Sequence, residues 1–497
     1  MINKIGLFLR KIKASLYSSP VLSTLIISCL FLFLISLFDR VLAIGAIFIV
    51  FLTAITFFIF KKIGYKTKAI YILFLAVLFI QLVAVLFFYY AHFQPFSGGA
   101  GDFSTYNSLG QEISERISRG NFSLQGLDIE NHYFVIVGYI YALIMPGMLI
   151  GQMFNSFLIA LLAVFVYLIV MQIGGSEKQG FFAGLMAGIY PSLIFFGGLL
   201  GKDALVALLC SIILLLIIKL LKIFSWGNFI FFYIILGALM NLRVYIGFAL
   251  ILTFIASWLL FSSLNFKKRF LSAFLLIIIL GFLPQIFSGQ GYYGINFLKA
   301  FINVKSITYY REKISIPNPK ISPTTGFPVY DETPSNIETP ASTKPSVVVE
   351  TPAPEKPSTT TEPVTKRGRG SSIEVETGFD NPFKFLKNSV ISFIYTSFGP
   401  FPWQMRYLRH LLILPEVVLW YFALFFAIKG IKNLKPAYTF ILFFFSFLVL
   451  ASLSVYLANF GITTRIRIPA FISIFCLAPF GFEKLKNIKI PFLEKYF

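Results

Sequence analysis

The chain has 497 residues, 57% hydrophobic and 18% aromatic but only 13% charged, where a soluble domain carries about 25% charged residues. Several apolar runs reach the roughly 20 residues needed to cross a bilayer core, which excludes a large soluble protein. The formal net charge of +21 comes mostly from Lys and Arg in short loops between apolar runs, the pattern of inner-face membrane loops and not of a nucleic-acid surface, so no nucleic-acid partner is expected.

In chain order, Lys4, Arg10, Lys11 and Lys13 precede an apolar run from Val21. No small-residue cleavage site follows, so Val21–Phe38 is predicted to be an uncleaved first membrane helix. Val41–Phe60 crosses back to Lys61, Lys62, Lys66 and Lys68, and Ala69–Ala91 crosses out. Residues 92–132 are polar and acidic and are expected to form an external loop. Tyr133–Pro146 is apolar but short. If it crossed, every later basic loop would fall outside, so it is predicted to lie in the outer interface or against the bundle. Met148–Ile173, Phe181–Leu200 and Ala204–Leu221 are further crossings. Phe229–Ser262 is too long for one straight helix and is expected to cross twice, with Arg243 at the outer turn. Phe270–Phe287 goes out again.

Residues 288–409 are expected outside. They hold a Pro/Thr/Ser-rich tract, about 317–372, with too little apolar content to bury a core, predicted to be disordered. It reads as a spacer, or alternatively as a glycosylated stalk or wall-binding arm. Leu411–Ala427, Ala437–Ala458 and Ile468–Phe482 are the last crossings, with Asn459–Arg467 an external loop. The prediction is an all-α polytopic membrane protein of about twelve helices, both termini cytoplasmic. The three cysteines, Cys29, Cys210 and Cys476, lie in apolar runs with no metal spacing and read as small buried hydrophobes.

This topology, argued from Lys/Arg loops alone, gathers Asp102, Asp203, Arg243, Arg465 and Arg467 at one membrane face. An ionisable group within a membrane costs about 2.5–3.5 kcal/mol on insertion scales, so it usually has a partner or a function. Asp102 follows Gly98-Gly99-Ala100-Gly101, and could bind a divalent cation, act as a general base, or simply bond its own turn. Asp203 opens a helix, so N-capping competes with a site role; Lys202 beside it could neutralise it or meet a lipid phosphate. Arg243 could snorkel to the interface. Arg465 and Arg467 suit bidentate phosphate binding. His92, His132 and His410 share no metal spacing. His92 and His132 border the first external loop and read as interfacial, His132 being also a candidate substrate contact. No Walker sequence, HExxH or G-x-S-x-G occurs, which removes support for nucleotide hydrolysis and for serine or zinc proteolysis.

Taken in order and spacing, four segments resemble the GT-C membrane glycosyltransferases, closest to the protein mannosyltransferase and aminoarabinose transferase branch. They are Gly101-Asp102-Phe103-Ser104-Thr105-Tyr106; Tyr190-Pro191-Ser192-Leu193 running to Gly201-Lys202-Asp203; Asn241-Leu242-Arg243; and Thr464-Arg465-Ile466-Arg467-Ile468-Pro469-Ala470. The likeness covers roughly 69–287 and, loosely, 385–482. The sequence departs from that pattern at His132-Tyr133, where the family often has His-Pro or Pro-Pro, and lacks a large folded C-terminal external domain. The resemblance divides the chain into an N-terminal hairpin (1–68), a GT-C-like core (69–287) with interfacial helices in its first external loop, an external loop (288–409) and C-terminal helices with a cytoplasmic tail (410–497). It implies sugar transfer, at the outer face of the cell membrane, from a polyprenyl-phosphate donor to a glycan, lipid or protein acceptor. Asp102 would be general base or metal ligand and Asp203 would assist. Lys202, Arg243, Arg465 and Arg467 would bind the donor phosphate, and Tyr106 and His132 would contact substrate. A divalent cation, Mg2+ or Mn2+, is the candidate cofactor, held by Asp102 and Asp203. A glycan polymerase or ligase, a transporter or lipid flippase, and a non-catalytic scaffold are the alternatives.

Overall fold

The structure, a computed structural model, describes residues 37–65, 67–93, 102–303, 382–401, 403, 413–456 and 460–482. The expected first helix, apart from its last two residues Leu37 and Phe38, and the Pro/Thr-rich tract lie outside these residues. Among them every regular element is helical. Among the described residues eight helices are long and apolar enough to cross a membrane, or nine if one bent pair counts as a single span. The protein is a multi-pass membrane protein.

α1 (Arg40–Ile63) starts at Asp39, whose carboxylate accepts from the Val41 and Leu42 amides at 2.7 and 3.1 Å, and ends at Gly64 in the left-handed region. That pairing is the usual N-cap and glycine C-cap chemistry. α2 (Lys68–Tyr90) returns. Much of the outer surface of α1 is bare hydrocarbon, with Ile47, Val50, Phe51 and Phe58 all exposed, as befits a helix that faces a bilayer.

The first polar loop is not irregular. It contains α3 (Asp102–Ser118), packed on α4 (Tyr133–Leu143). α4 has 11 residues, about 16 Å at the helical rise, too short to span. It lies against α3 where Gly138 leaves room for Ile113; a Cβ on Gly138 would come within 2.3 Å of that side chain.

α5 (Met148–Gln172) and α8 (Asp203–Lys222) are the most enclosed spans. Between them, the expected single crossing Phe181–Leu200 is instead a broken one, α6 (Glu177–Gly188) and α7 (Pro191–Gly198), bent by 52°. Pro191 is the cause: it disfavours helical backbone at the residue before it, and Tyr190 is extended with φ −61° and ψ 128°. α6 begins with a complete capping box between Ser176 and Gln179.

The long apolar stretch splits as expected into α9 (Trp226–Leu242) and α10 (Val244–Phe261), with Arg243 extended between them at φ −152° and ψ 91°. α11 (Phe266–Gly281), α12 (Leu283–Ser288) and α13 (Ile295–Ile302) follow. On the far side of the undescribed tract, α14 (Pro382–Phe398) packs on α16 (Pro436–Tyr456), which is joined to α15 (Leu414–Gly430). The loop expected over Asn459–Arg467 is helical from Phe460: α17 (Phe460–Ile466) runs into α18 (Ile468–Leu477) with a break at Arg467. The C-terminal helices join the same apolar core as α5 and α8.

Candidate functional site

Because the spans alternate in direction, the N-terminus of α8, the α9–α10 corner, α3 and α17 come together at one end of the bundle. Asp203 is the hub. Its Oδ1 accepts from Arg243 Nη2 at 2.7 Å and its Oδ2 from Arg465 Nε at 2.6 Å. Arg465 Nη1 then donates to Asp102 Oδ2, also at 2.6 Å. The result is a chain of two carboxylates and two guanidiniums drawn from four separate parts of the sequence.

Burial is graded along this chain. Side-chain exposure is 6% at Asp203 and 12% at Arg243, then 21% at Arg465 and 65% at Asp102. The charged row leads from the protein interior to its surface. Arg465 also lies 5.9 Å from the centre of the Phe196 ring, and Arg243 Nη1 reaches the Tyr245 hydroxyl at 3.5 Å. Burial by itself would lower the affinity of Arg465 for its proton, but Asp203 and Asp102 more than reverse this and hold it above the ordinary arginine value. Burial pushes the Lys202 ammonium down to about 8; Arg243 acts in the same direction, and Asp203 opposes it.

A polar scaffold fixes these groups. Asn155 of α5 donates to the carbonyls of Leu199 and Gly201, each at 2.9 Å, and accepts from the Tyr133 hydroxyl at 2.7 Å. This ties the turn before Asp203 to both α5 and α4. The Asn241 side chain accepts from the His132 amide at 2.7 Å, tying the start of α4 to the α9 end beside Arg243. Tyr106 is buried, stacked on Phe134 with ring centres 4.3 Å apart, and its hydroxyl accepts from Asn131 at 3.4 Å. Burial holds that hydroxyl above its usual pKa.

Of the residues expected at the site, Asp102, Asp203, Arg243 and Arg465 share one ion-pair chain. Lys202 precedes Asp203, and Tyr106 is close by. His132 is at the rim, with its imidazole exposed and only its backbone tied in.

Arg467 is elsewhere. It is 1% exposed and pairs with Glu416 at 3.0 Å. Its Nη1 donates to the carbonyls of Thr396 and Gly399 at 3.2 and 2.6 Å. Its guanidinium carbon lies 4.7 Å from the Phe471 ring centre, and Phe471 in turn stacks on Trp420 at 3.6 Å. Ser192 of α7 donates to the other oxygen of Glu416. The helix break at Arg467 turns it away from Arg465, so it does not share a ligand site with it.

A divalent cation bridging Asp102 and Asp203 does not fit this arrangement. Arg465 occupies the bridging position, and both Asp203 oxygens accept from arginines. Among the described residues no three His, Cys, Asp or Glu side chains come together. An anion suits the donors better: each guanidinium offers five N–H groups, and Arg465 Nη2 has hydrogens that none of these contacts uses.

Glu416, Asn131 and Asn155 were not singled out from the sequence, and Tyr133 was noted there only as a departure from the family pattern. Glu416 left a readable signal, a lone carboxylate inside an apolar run. Asn155 left a weaker one of the same kind.

No protein-family model matches the chain, and no curated protein matches it either.

Proposed function

We propose that the chain is a membrane glycosyltransferase of the GT-C type, moving a sugar from a polyprenyl-phosphate-linked donor to an acceptor hydroxyl at the outer face of the membrane, with both termini on the cytoplasmic side. The observation that carries this reading is the Asp102–Arg465–Asp203–Arg243 chain at the end of a membrane span. Carboxylates and phosphate-binding cations meet where a lipid headgroup would lie.

An apolar cavity supports it. About 670 Å³ in volume, it starts at Tyr245, the residue that touches Arg243, and runs between α10, α11 and α16 past Phe248 and Leu280. An amphiphile with an anionic head and a long hydrocarbon tail matches that pairing of arginine and groove.

In the reaction, the donor phosphate draws the N–H groups of Arg243 and Arg465 away from full engagement with the carboxylates, and the Lys202 ammonium joins them on the phosphate. Asp102, released from Arg465, accepts the acceptor's hydroxyl proton. The acceptor oxygen forms its bond to the anomeric carbon. The bond from that carbon to the phosphate oxygen breaks, and polyprenyl phosphate departs with the electron pair, neutralised by the two arginines. Asp203 keeps both guanidiniums aimed at the phosphate. No step is routed through a metal.

A transporter would hold its ionisable residues near the middle of the membrane. Asp203 is the first residue of its span, which favours the transferase.

The test is transfer of labelled sugar by the purified chain in lipid bilayers, using a panel of polyprenyl-phosphate sugars with and without Mg2+ or Mn2+. Transfer by the wild type and its loss in both Asp102→Asn and Asp203→Asn support the assignment. Wild-type rates in both variants overturn it.

A further inference from the structure

The opposite end of the bundle holds a second site of different character. α8 begins at Asp203 and ends at Lys222, a helix of 20 residues, which sets the two about 28 Å apart along its axis. Beside Lys222 a cavity of about 590 Å³ opens among the end of α8, the start of α9, the α10–α11 corner and α11. Its walls are apolar and aromatic, with Phe224, Trp226, Phe229, Trp258 and Leu276 among them. Phe224 meets both tryptophans edge-on, at 5.3 Å from Trp226 and 5.7 Å from Trp258. Trp226 is 66% exposed at the rim, the position tryptophan favours at a membrane–water boundary.

Lys222 lines the cavity, and further lysines lie on the elements around it. The Lys222 ammonium donates to the Gln172 carbonyl at the end of α5 and lies 5.4 Å from the Tyr438 ring centre. Among the described residues no carboxylate pairs with it. Lys219 stands one turn earlier on α8. Lys267 and Lys268 open α11, the helix that supplies Ser272 and Leu275 to the cavity wall. Lys435 precedes the turn that carries Tyr438.

We propose that this is a binding site for an anionic phospholipid, with an acyl chain in the cavity and the phosphate at Lys222. The apolar and aromatic walls take the chain. Lys222 and the lysines around it select net negative charge over a zwitterionic headgroup. The site is a helix length from Asp203, so it is separate from the proposed donor site and does not depend on the transferase reading.

Tryptophan fluorescence with brominated lipids tests it. The full chain is placed in phosphatidylcholine bilayers containing an equal small fraction of brominated phosphatidylglycerol or brominated phosphatidylcholine. The glycerol lipid quenches more strongly. Lys222→Gln reduces that preference about fivefold, the worth of one lysine near a charged surface. Trp226→Phe, a change at an exposed side chain that the fold tolerates, lowers the preferential quenching to the share that Trp258 in the cavity wall still reports, and keeps the test valid should Lys222→Gln fail to fold; an unchanged preference in that variant overturns the proposal. Lys61→Gln with Lys62→Gln, at the end of α1 and not on the cavity, leaves the preference unchanged. Equal quenching by the two lipids in the parent chain overturns the proposal. So does an equal loss of preference in the α1 variant, which would reveal only diffuse attraction to a basic surface.

Discussion

Arg465 and Arg467 are two residues apart and lead different lives. Arg465 is partly exposed, bridges two carboxylates and has one end open to solvent through Asp102. Arg467 is enclosed, and every group around it belongs to the protein: Glu416, two backbone carbonyls and an aromatic ring. In the proposed reaction the first arrangement exchanges a carboxylate for an incoming phosphate. The second cannot do so without leaving a buried charge unpaired. Residue type does not separate a ligand site from a structural clamp; the supply of partners does.

The comparison predicts where each substitution does its damage. Arg467→Ala strands Glu416 among α7, α15 and α18 and lowers stability by about 3–5 kcal/mol, read as a lower thermal midpoint in detergent. The paired change Arg467→Met with Glu416→Leu recovers most of that loss, since a buried ion pair replaced by hydrocarbon is often neutral. A double variant as unstable as the single one breaks the clamp reading.

Next in size, Arg465→Ala lowers the transfer rate by roughly 10²–10³-fold, the scale of a lost charge-stabilising donor. It lowers the thermal midpoint less than Arg467→Ala does, because Asp203 keeps Arg243. A midpoint loss equal to that of Arg467→Ala would erase the distinction.

Lys202 sharpens the open end further. Its ammonium titrates near 8, so it is charged at neutral pH and loses its charge as pH rises. Binding of a polyprenyl-phosphate analogue therefore weakens by roughly tenfold between about pH 7 and about pH 9, the worth of one charge-assisted hydrogen bond. In Lys202→Gln binding is weak throughout and this dependence is absent. The smallest effect is on the stability of Asp102→Asn. With Asp102 so exposed, unfolding shifts by no more than about 0.5 kcal/mol, even though transfer is lost.

Much of the architecture was legible because a bilayer imposes one strong rule, apolar runs of fixed length separated by charge. That rule gave the split at Arg243, the short α4 and the gathering of Asp102, Asp203, Arg243 and Arg465. It failed where local backbone chemistry overrode hydropathy. Tyr190-Pro191 breaks a run that reads as one span, and α17 carries helix into a stretch that reads as loop. It also failed to tell Arg465 from Arg467, because which way each points depends on a single break between two short helices. Glu416 was missed for a different reason: its partner is 51 positions away, and only packing brings the two together.

α8 is also a ruler. It is a rigid rod with Asp203 at one tip and Lys222 at the other, and both tips are charged. The surrounding lipid therefore decides how far Asp203 stands from the water. A thicker bilayer draws one tip below the headgroups or forces the rod upright, and a thinner one makes it tilt. Acyl-chain length in a reconstituted membrane thus becomes a dial on the height of the charged row, with its own optimum, independent of any change to the protein.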